Sequence, residues 1–216
     1  MAEQAARFNE DELQFDNVYK HNYWGSGESR SGSGSEHKFT LNYRARLSKL
    51  LAAQSLERVF DAPCGDLNWM RHVISETNII YSGGDISPLL VDDVRSRYPN
   101  VNLCVFDIIR DEFPVADVWH CRDCLFHLPT EDVLSALKNF SNSKIPYALI
   151  TSHKAYLLHS NLNVSLGGFR FLDLERPPFS LPRPVRRIPD YKKGTEFPRY
   201  VCLWSRDQIS NLFAQI

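Results

Sequence analysis

The sequence contains no long hydrophobic run. Nowhere do about 18 apolar residues stand together, so no membrane-spanning helix is expected. It also lacks a surplus of charge. A formal net charge of −1 over 216 residues excludes an overall basic field that would draw the chain to nucleic acid or an acidic membrane. Cysteine is sparse and odd in number. Cys64, Cys104, Cys121, Cys124 and Cys202 do not have the spacing of a disulfide framework. The opening "MAEQAARFNEDELQF" has no apolar core of a signal peptide. A cytoplasmic, reducing setting is therefore expected. Apolar residues are not in short supply. At 43% they allow one domain with a substantial core.

"CRDC" (Cys121 to Cys124) has CxxC spacing, but zinc would need two further ligands and no second CxxC or HxxxH exists. Thiols buried in a core strand are expected there, and no metal site.

What is there is alternation. Short apolar runs at 57–62, 79–85, 101–107, 116–123 and 147–153 read as strands. Between them, 67–76, 87–98 and 130–142 read as helices. Ser87 and Thr130 stand as N-caps, and Pro88 sits in a first turn. Strands without a polar face, alternating with helices, indicate a mostly parallel sheet covered on both sides. Before them, 9–23 and His37 to Ser55 read as helices, the second with Leu41, Ala45, Leu47, Leu50 and Leu51 near one face. After them, six prolines in 177–198 exclude a continuous helix, so 154–198 is a Pro/Arg-rich insertion. The chain then returns as a strand at 199–204 and a closing helix from Ser205 to Ile216. The expected division is 1–55 for the N-terminal helices and a Gly/Ser lid, and 56–216 for a Rossmann-like core.

In an open parallel sheet, ligands bind outside the carboxyl ends of the strands. Three successive ends carry Asp61, Asp85 and Asp107. Such a trio repels itself unless a polyhydroxyl or cationic ligand sits there. Asp85 lies 24 positions after Asp61, about one strand–helix–strand step, where a carboxylate accepts from ribose hydroxyls. The first turn, "DAPCGD", has one glycine, Gly65, and Pro63 gives no N–H. A dinucleotide pyrophosphate needs GxGxxG, so a nicotinamide oxidoreductase is disfavoured and a nucleoside without phosphate fits.

"VFDAPCGDLNWM", "YSGGDIS", "FDI" and "ADVWHCRDCLFHLP" resemble the class I S-adenosylmethionine-dependent methyltransferases. The first motif is similar to a subgroup version, D-x-P-C-G-D. "NVYKHNYWGSGESRSGSGS" and "GGFRFLDLERPPFSLPRP" look like recurring segments of that subgroup, so the resemblance covers most of 15–210. It implies an α/β fold with about seven strands and S-adenosyl-L-methionine as cofactor. Asp61, Pro63 and Gly65 would lie under the methionine part. Asp85 and Ile86 would take the ribose, Asp107 and Ile108 the adenine, and Arg122 and Asp123 would face the methyl. Trp24 and Ser31 would close over the cofactor, while Tyr23, Arg30 and Arg170 would meet the acceptor.

Methyl transfer needs positioning and, for a hydroxyl, a base; Asp123, His127 and His153 are the candidates. Arg30, Arg170, Arg183 and Arg186 suggest a negatively charged acceptor. A small molecule or saccharide methylated on oxygen is favoured. No basic–aromatic platform points to nucleic acid. The rival reading is a non-catalytic module that binds the cofactor or a nucleoside and acts through partners.

The Gly/Ser stretch "WGSGESRSGSGSE" has the composition of a linker. Yet it links nothing large, and aromatics, Glu28 and Arg30 stand at or within it. It is expected to fold over a ligand.

Overall fold

A computed structural model describes residues 14–154 and 161–214. The start of the first expected helix, 155–160 of the insertion, and the last two residues lie outside that range. Residues 14–21 are helical, as expected, and form α1.

Seven strands make one sheet: β1 (Arg58–Asp61), β2 (Ile80–Asp85), β3 (Asn102–Val105), β4 (Val118–Cys121), β5 (Tyr147–His153), β6 (Arg186–Pro189) and β7 (Arg199–Ser205). Their order is β3-β2-β1-β4-β5-β7-β6. The first five run parallel, and β7 is antiparallel to both β5 and β6. The helices that follow α1 are α2 (His37–Ala53), α3 (Met70–Glu76), α4 (Pro88–Arg97), α5 (Thr130–Asn142) and α6 (Arg206–Ser210).

Alternate side chains of each strand serve opposite faces. In β4, Trp119 joins Phe60, Phe113, Phe140 and Trp204 on one side, while Val118 joins Val59, Val73, Val91 and Leu149 on the other. Both faces are therefore buried, which is why the strands read as continuous apolar runs. The chain moves outward from β1 through β2 to β3, then resumes at β4 on the other side of β1. The crevice at that reversal opens at the carboxyl ends of β1 and β4.

Four expectations need correction. β6 forms inside the Pro/Arg-rich insertion. It is an edge strand bonded only to β7, so Pro189 withholds no ladder bond from a second neighbour. Thr130 does not cap α5; Pro129 holds that position. The Thr130 hydroxyl instead accepts from Arg170, and its N–H donates to Asn163 Oδ1 at 2.7 Å. The buried face of α2 runs through Thr40, Tyr43, Arg44, Leu47 and Leu51, leaving Leu41 exposed. Tyr43 turns inward because its hydroxyl bonds His120 of β4. The closing helix is short, Arg206–Ser210, with a Ser205–Gln208 capping box. Ser87 caps α4 as expected, accepting from Leu90 N at 3.1 Å.

Candidate active site

β1 delivers Asp61 to the crevice, where both oxygens already have a partner. Oδ1 lies 2.6 Å from His120 Nδ1, and Tyr81 donates to Oδ2 at 2.9 Å. His120 Nε2 in turn meets the Tyr43 hydroxyl at 2.8 Å. A carboxylate has about four acceptor sites, so Asp61 keeps capacity toward the cavity it lines.

The turn after β1 depends on Gly65. Its φ is +57°, and a Cβ there would sit 2.5 Å from Ser31 Oγ. Its N–H donates to Asp85 Oδ2 at 3.1 Å. Asp85, at the end of β2, also accepts from Ser87 N at 3.2 Å. Burial pushes its pKa up to about 6, against the pull of these backbone donors. Asp107 follows β3 and is buried; it accepts from Ile109 N at 2.7 Å and pairs with Arg110.

The Gly/Ser stretch is not a bare linker. Ser29 donates to both oxygens of Asp66 (3.0 and 2.9 Å), Arg30 N–H donates to the same carboxylate (2.9 Å), and Asp66 N–H donates to Ser31 Oγ (2.9 Å). Glu28 binds His37 N–H and Asn68. Farther along, Gly34 O accepts from Arg122 at 3.0 Å. The segment is thus pinned to the ends of β1 and β4.

Arg122 is buried. It pairs with Asp190 (2.9 Å) and Asp123 (3.3 Å), and its guanidinium lies 5.3 Å from the ring centres of both Tyr43 and Trp69. Burial opposes its charge, but the two carboxylates outweigh that and hold its pKa above the ordinary value. Arg199 closes the ring, reaching Asp123 at 3.0 Å and Asp190 at 3.3 Å. Burial would raise the Asp123 pKa, but Arg122 and Arg199 outweigh it and the group stays below its usual range. As a base Asp123 is poor, because its charge is already committed.

His127 is better placed. Its Nδ1 lies 2.7 Å from Gly168 O, a pure acceptor, so Nδ1 carries the hydrogen and the neutral ring leaves a lone pair on Nε2. Burial lowers its pKa, which favours that neutral form. His153 is held differently. Leu172 N–H donates to its Nδ1 at 3.2 Å, and Phe126, Phe169 and Phe171 surround the ring.

One cavity of about 1160 Å³, its open mouth included, brings most of the expected residues together. Its wall includes Asp61, Pro63, Gly65, Asp85, Ile86, Asp107 and Ile108. It also includes Arg122, Asp123 and His127, with Trp24, Arg30 and Ser31 from the Gly/Ser side. Three expected residues are not in that wall. Tyr23 is 67% exposed and stacks on His21. Arg170 is buried, its guanidinium donating to Leu128 O, Leu162 O and Thr130. His153 is the third. Missed by sequence reading were Asp66, Trp69, His120, Asp190 and Arg199. Asp66 alone carried a local signal, as the second acidic residue of "DAPCGD".

The fold has well-matched counterparts among solved structures. Magnesium protoporphyrin IX methyltransferase from Synechocystis PCC 6803, with bound S-adenosylhomocysteine, matches 94% of this chain and 99% of its own at TM-score 0.61 and 11% identity. The N-methyltransferase NodS from Bradyrhizobium japonicum WM9 matches 78% and 97% at TM-score 0.56 and 10% identity. The mitomycin 7-O-methyltransferase MmcR matches 75% and 53% at TM-score 0.56 and 15% identity. This chain has the methyltransferase fold. No family model matches it, and neither does any curated protein. At these identities the likeness is one of fold, and the names differ: one gives magnesium protoporphyrin IX, one mitomycin at a 7-oxygen, and one only N-methylation. In the methyltransferase fold of this chain, the cavity sits at the β1/β4 reversal, where ligands of open α/β sheets bind.

Proposed function

We propose that the chain is an S-adenosylmethionine-dependent methyltransferase, of the subgroup whose first motif reads D-x-P-C-G-D, acting on oxygen of a small-molecule or saccharide acceptor. The observation that carries this is the set of acceptors around the cavity. Asp61, Asp85 and Asp107 all line it, each with part of its acceptor capacity taken by the protein. The donor set of the cofactor is complementary: an ammonium group, two ribose hydroxyls and an adenine amino group. The first turn offers no glycine-rich cradle for a pyrophosphate, which fits a cofactor without phosphate.

Asp61 would orient the amino-acid part, Asp85 the ribose, and Asp107 with Ile108 the adenine. Bound there, the cofactor supplies a methyl group on a sulfonium, already activated for displacement. The protein's work is then positioning and proton removal. Trp24, Arg30 and Ser31 form a lid over the site, and Arg122 holds that lid through Gly34 O. His127 Nε2 is the base, with its tautomer set by Gly168 O.

Calorimetric titration with S-adenosylhomocysteine tests this reading. Micromolar binding is expected, weakened in Asp85→Ala by about 1.5–3 kcal/mol, the scale of hydrogen bonds to a charged group. Absence of binding to the wild type would reject the proposal. Turnover with any acceptor would exclude a non-catalytic binding module.

A further inference from the structure

We infer that the acceptor is an uncharged aromatic hydroxyl compound, its ring held by Trp24 and Phe169 and its oxygen at His127 Nε2. The inference rests on the methyltransferase reading above and narrows the acceptor of that same site.

Three rings carry it. The His127 imidazole stacks on the Trp24 indole, with centres 5.6 Å apart and planes at 25°. Phe169 lies 6.2 Å from the same imidazole, with its plane at 60°. Both rings are open to solvent, Trp24 by 38% and Phe169 by 56%. Trp24 and His127 line the cavity, so the aromatic surface is continuous with the base. An aromatic guest would cover both rings and gain their stacking geometry.

Charge argues against an anionic acceptor: Asp66 and Asp123 join the acidic trio in the cavity wall, and the arginines of that wall are Arg30 and Arg122. Arg122 and Arg199 are matched by Asp123 and Asp190, two positive groups against two negative. Arg170 is taken up by Leu128 O, Leu162 O and Thr130. Arg30 lies over the Tyr19 ring and donates to Tyr19 O. A saccharide would need several side chains to hydrogen-bond its hydroxyls. Two hydroxyls of the cavity wall are partly engaged: Ser31 Oγ accepts from Asp66 N–H, and Ser35 Oγ donates to Ser31 O. The cavity wall also carries the apolar side chains of Phe15, Cys124, Leu128 and Leu166.

Proton affinity points the same way. A phenol loses its proton near pH 10, as tyrosine does, within reach of a neutral imidazole in a concerted step. An aliphatic hydroxyl is a far weaker acid. In the step, the phenolic proton passes to His127 Nε2 and the oxygen forms the new bond to the methyl carbon. The carbon–sulfur bond breaks with its electron pair left on sulfur. The products are the aryl methyl ether and S-adenosylhomocysteine, and the imidazolium then gives its proton to water.

The test uses the full chain saturated with S-adenosylhomocysteine. 2-Naphthol, benzoate and methyl glucoside are titrated by calorimetry, and methyl transfer from S-adenosylmethionine to each is measured in parallel. The expected result is binding and turnover of 2-naphthol, with the other two at least roughly tenfold poorer. Phe169→Ala should weaken 2-naphthol binding by roughly tenfold while leaving S-adenosylhomocysteine affinity unchanged, since Phe169 is outside the cavity wall. S-adenosylhomocysteine binding without 2-naphthol binding at millimolar concentration would overturn the aromatic acceptor and leave the methyltransferase reading standing. So would preference for benzoate or methyl glucoside, or a Phe169→Ala variant that binds 2-naphthol normally. Failure to bind S-adenosylhomocysteine would instead remove the parent reading.

Discussion

Asp85 carries the cost of its own position. Burial raises its pKa from 3.8 to about 6, so between those values the folded chain holds a proton that the unfolded chain has released. Stability must then fall as pH rises from about 4 to about 6, and the cost is fully present above that. Two pH units correspond to roughly 3 kcal/mol. Asp85→Asn removes the titration, so its stability relative to wild type should improve by up to about 3 kcal/mol between pH 4 and pH 7. Urea denaturation at the two pH values measures this, and a constant difference would contradict it. The ionised form is the one that accepts from a ribose, so S-adenosylhomocysteine affinity should drop roughly tenfold from pH 7 to pH 5. This residue was legible in sequence because strand ends of a parallel sheet are predictable from local pattern. His120 was not. Its role comes from Asp61, 59 positions away, and Tyr43, 77 away, and no local pattern encodes those partners.

A Gly/Ser-rich composition normally predicts a flexible tether, since glycine loses most conformational freedom on ordering. Here the element is ordered by polar contacts rather than by burial of apolar area. Asp66 is its main anchor, accepting from Ser29 Oγ and Arg30 N–H. Asp66→Ala removes bonds to a charged acceptor, each of about 1.5–3 kcal/mol, and should free the 25–36 segment without unfolding the sheet. Limited proteolysis should then cut within 25–36 at least tenfold faster, with the far-ultraviolet circular dichroism unchanged. Equal cleavage of mutant and wild type would mean that the segment is held elsewhere. Gly65→Ala attacks the same contact from the other side. A left-handed φ costs a non-glycine residue about 1–2 kcal/mol, and the added Cβ would drive Ser31 away. The sequence carried the clue in its aromatics and charges, but not the contacts, because Asp66 lies 37 positions from Ser29.

Across the whole molecule, Arg122, Asp123, Asp190 and Arg199 tie together the ends of β4, β6 and β7, and Thr151 brings in β5 through its bond to Asp123. The doubly wound half of the sheet was readable because each strand–helix–strand unit is local and apolar. This other half was not, because β6 is four residues long, opens on two arginines and ends in Pro189. Its existence depends on pairing with β7 rather than on propensity. The same long-range dependence makes the network sensitive. Asp190 is buried beside Arg122, and both arginines lean on its carboxylate. Asp190→Ala leaves two guanidinium groups sharing Asp123 alone. Breaking a buried pair from one side typically costs about 3–5 kcal/mol, and the surviving Asp123 contact places this case near the lower end. Denaturant unfolding should therefore show a loss of about 3 kcal/mol. Asp190→Asn, which keeps an acceptor but no charge, should lose less. Arg122 also holds Gly34 O, so Asp190→Ala should speed cleavage of the 25–36 segment even though residue 190 does not touch it. If stability falls while the segment stays protected, the network supports the sheet alone, and the lid is held by Asp66 without it.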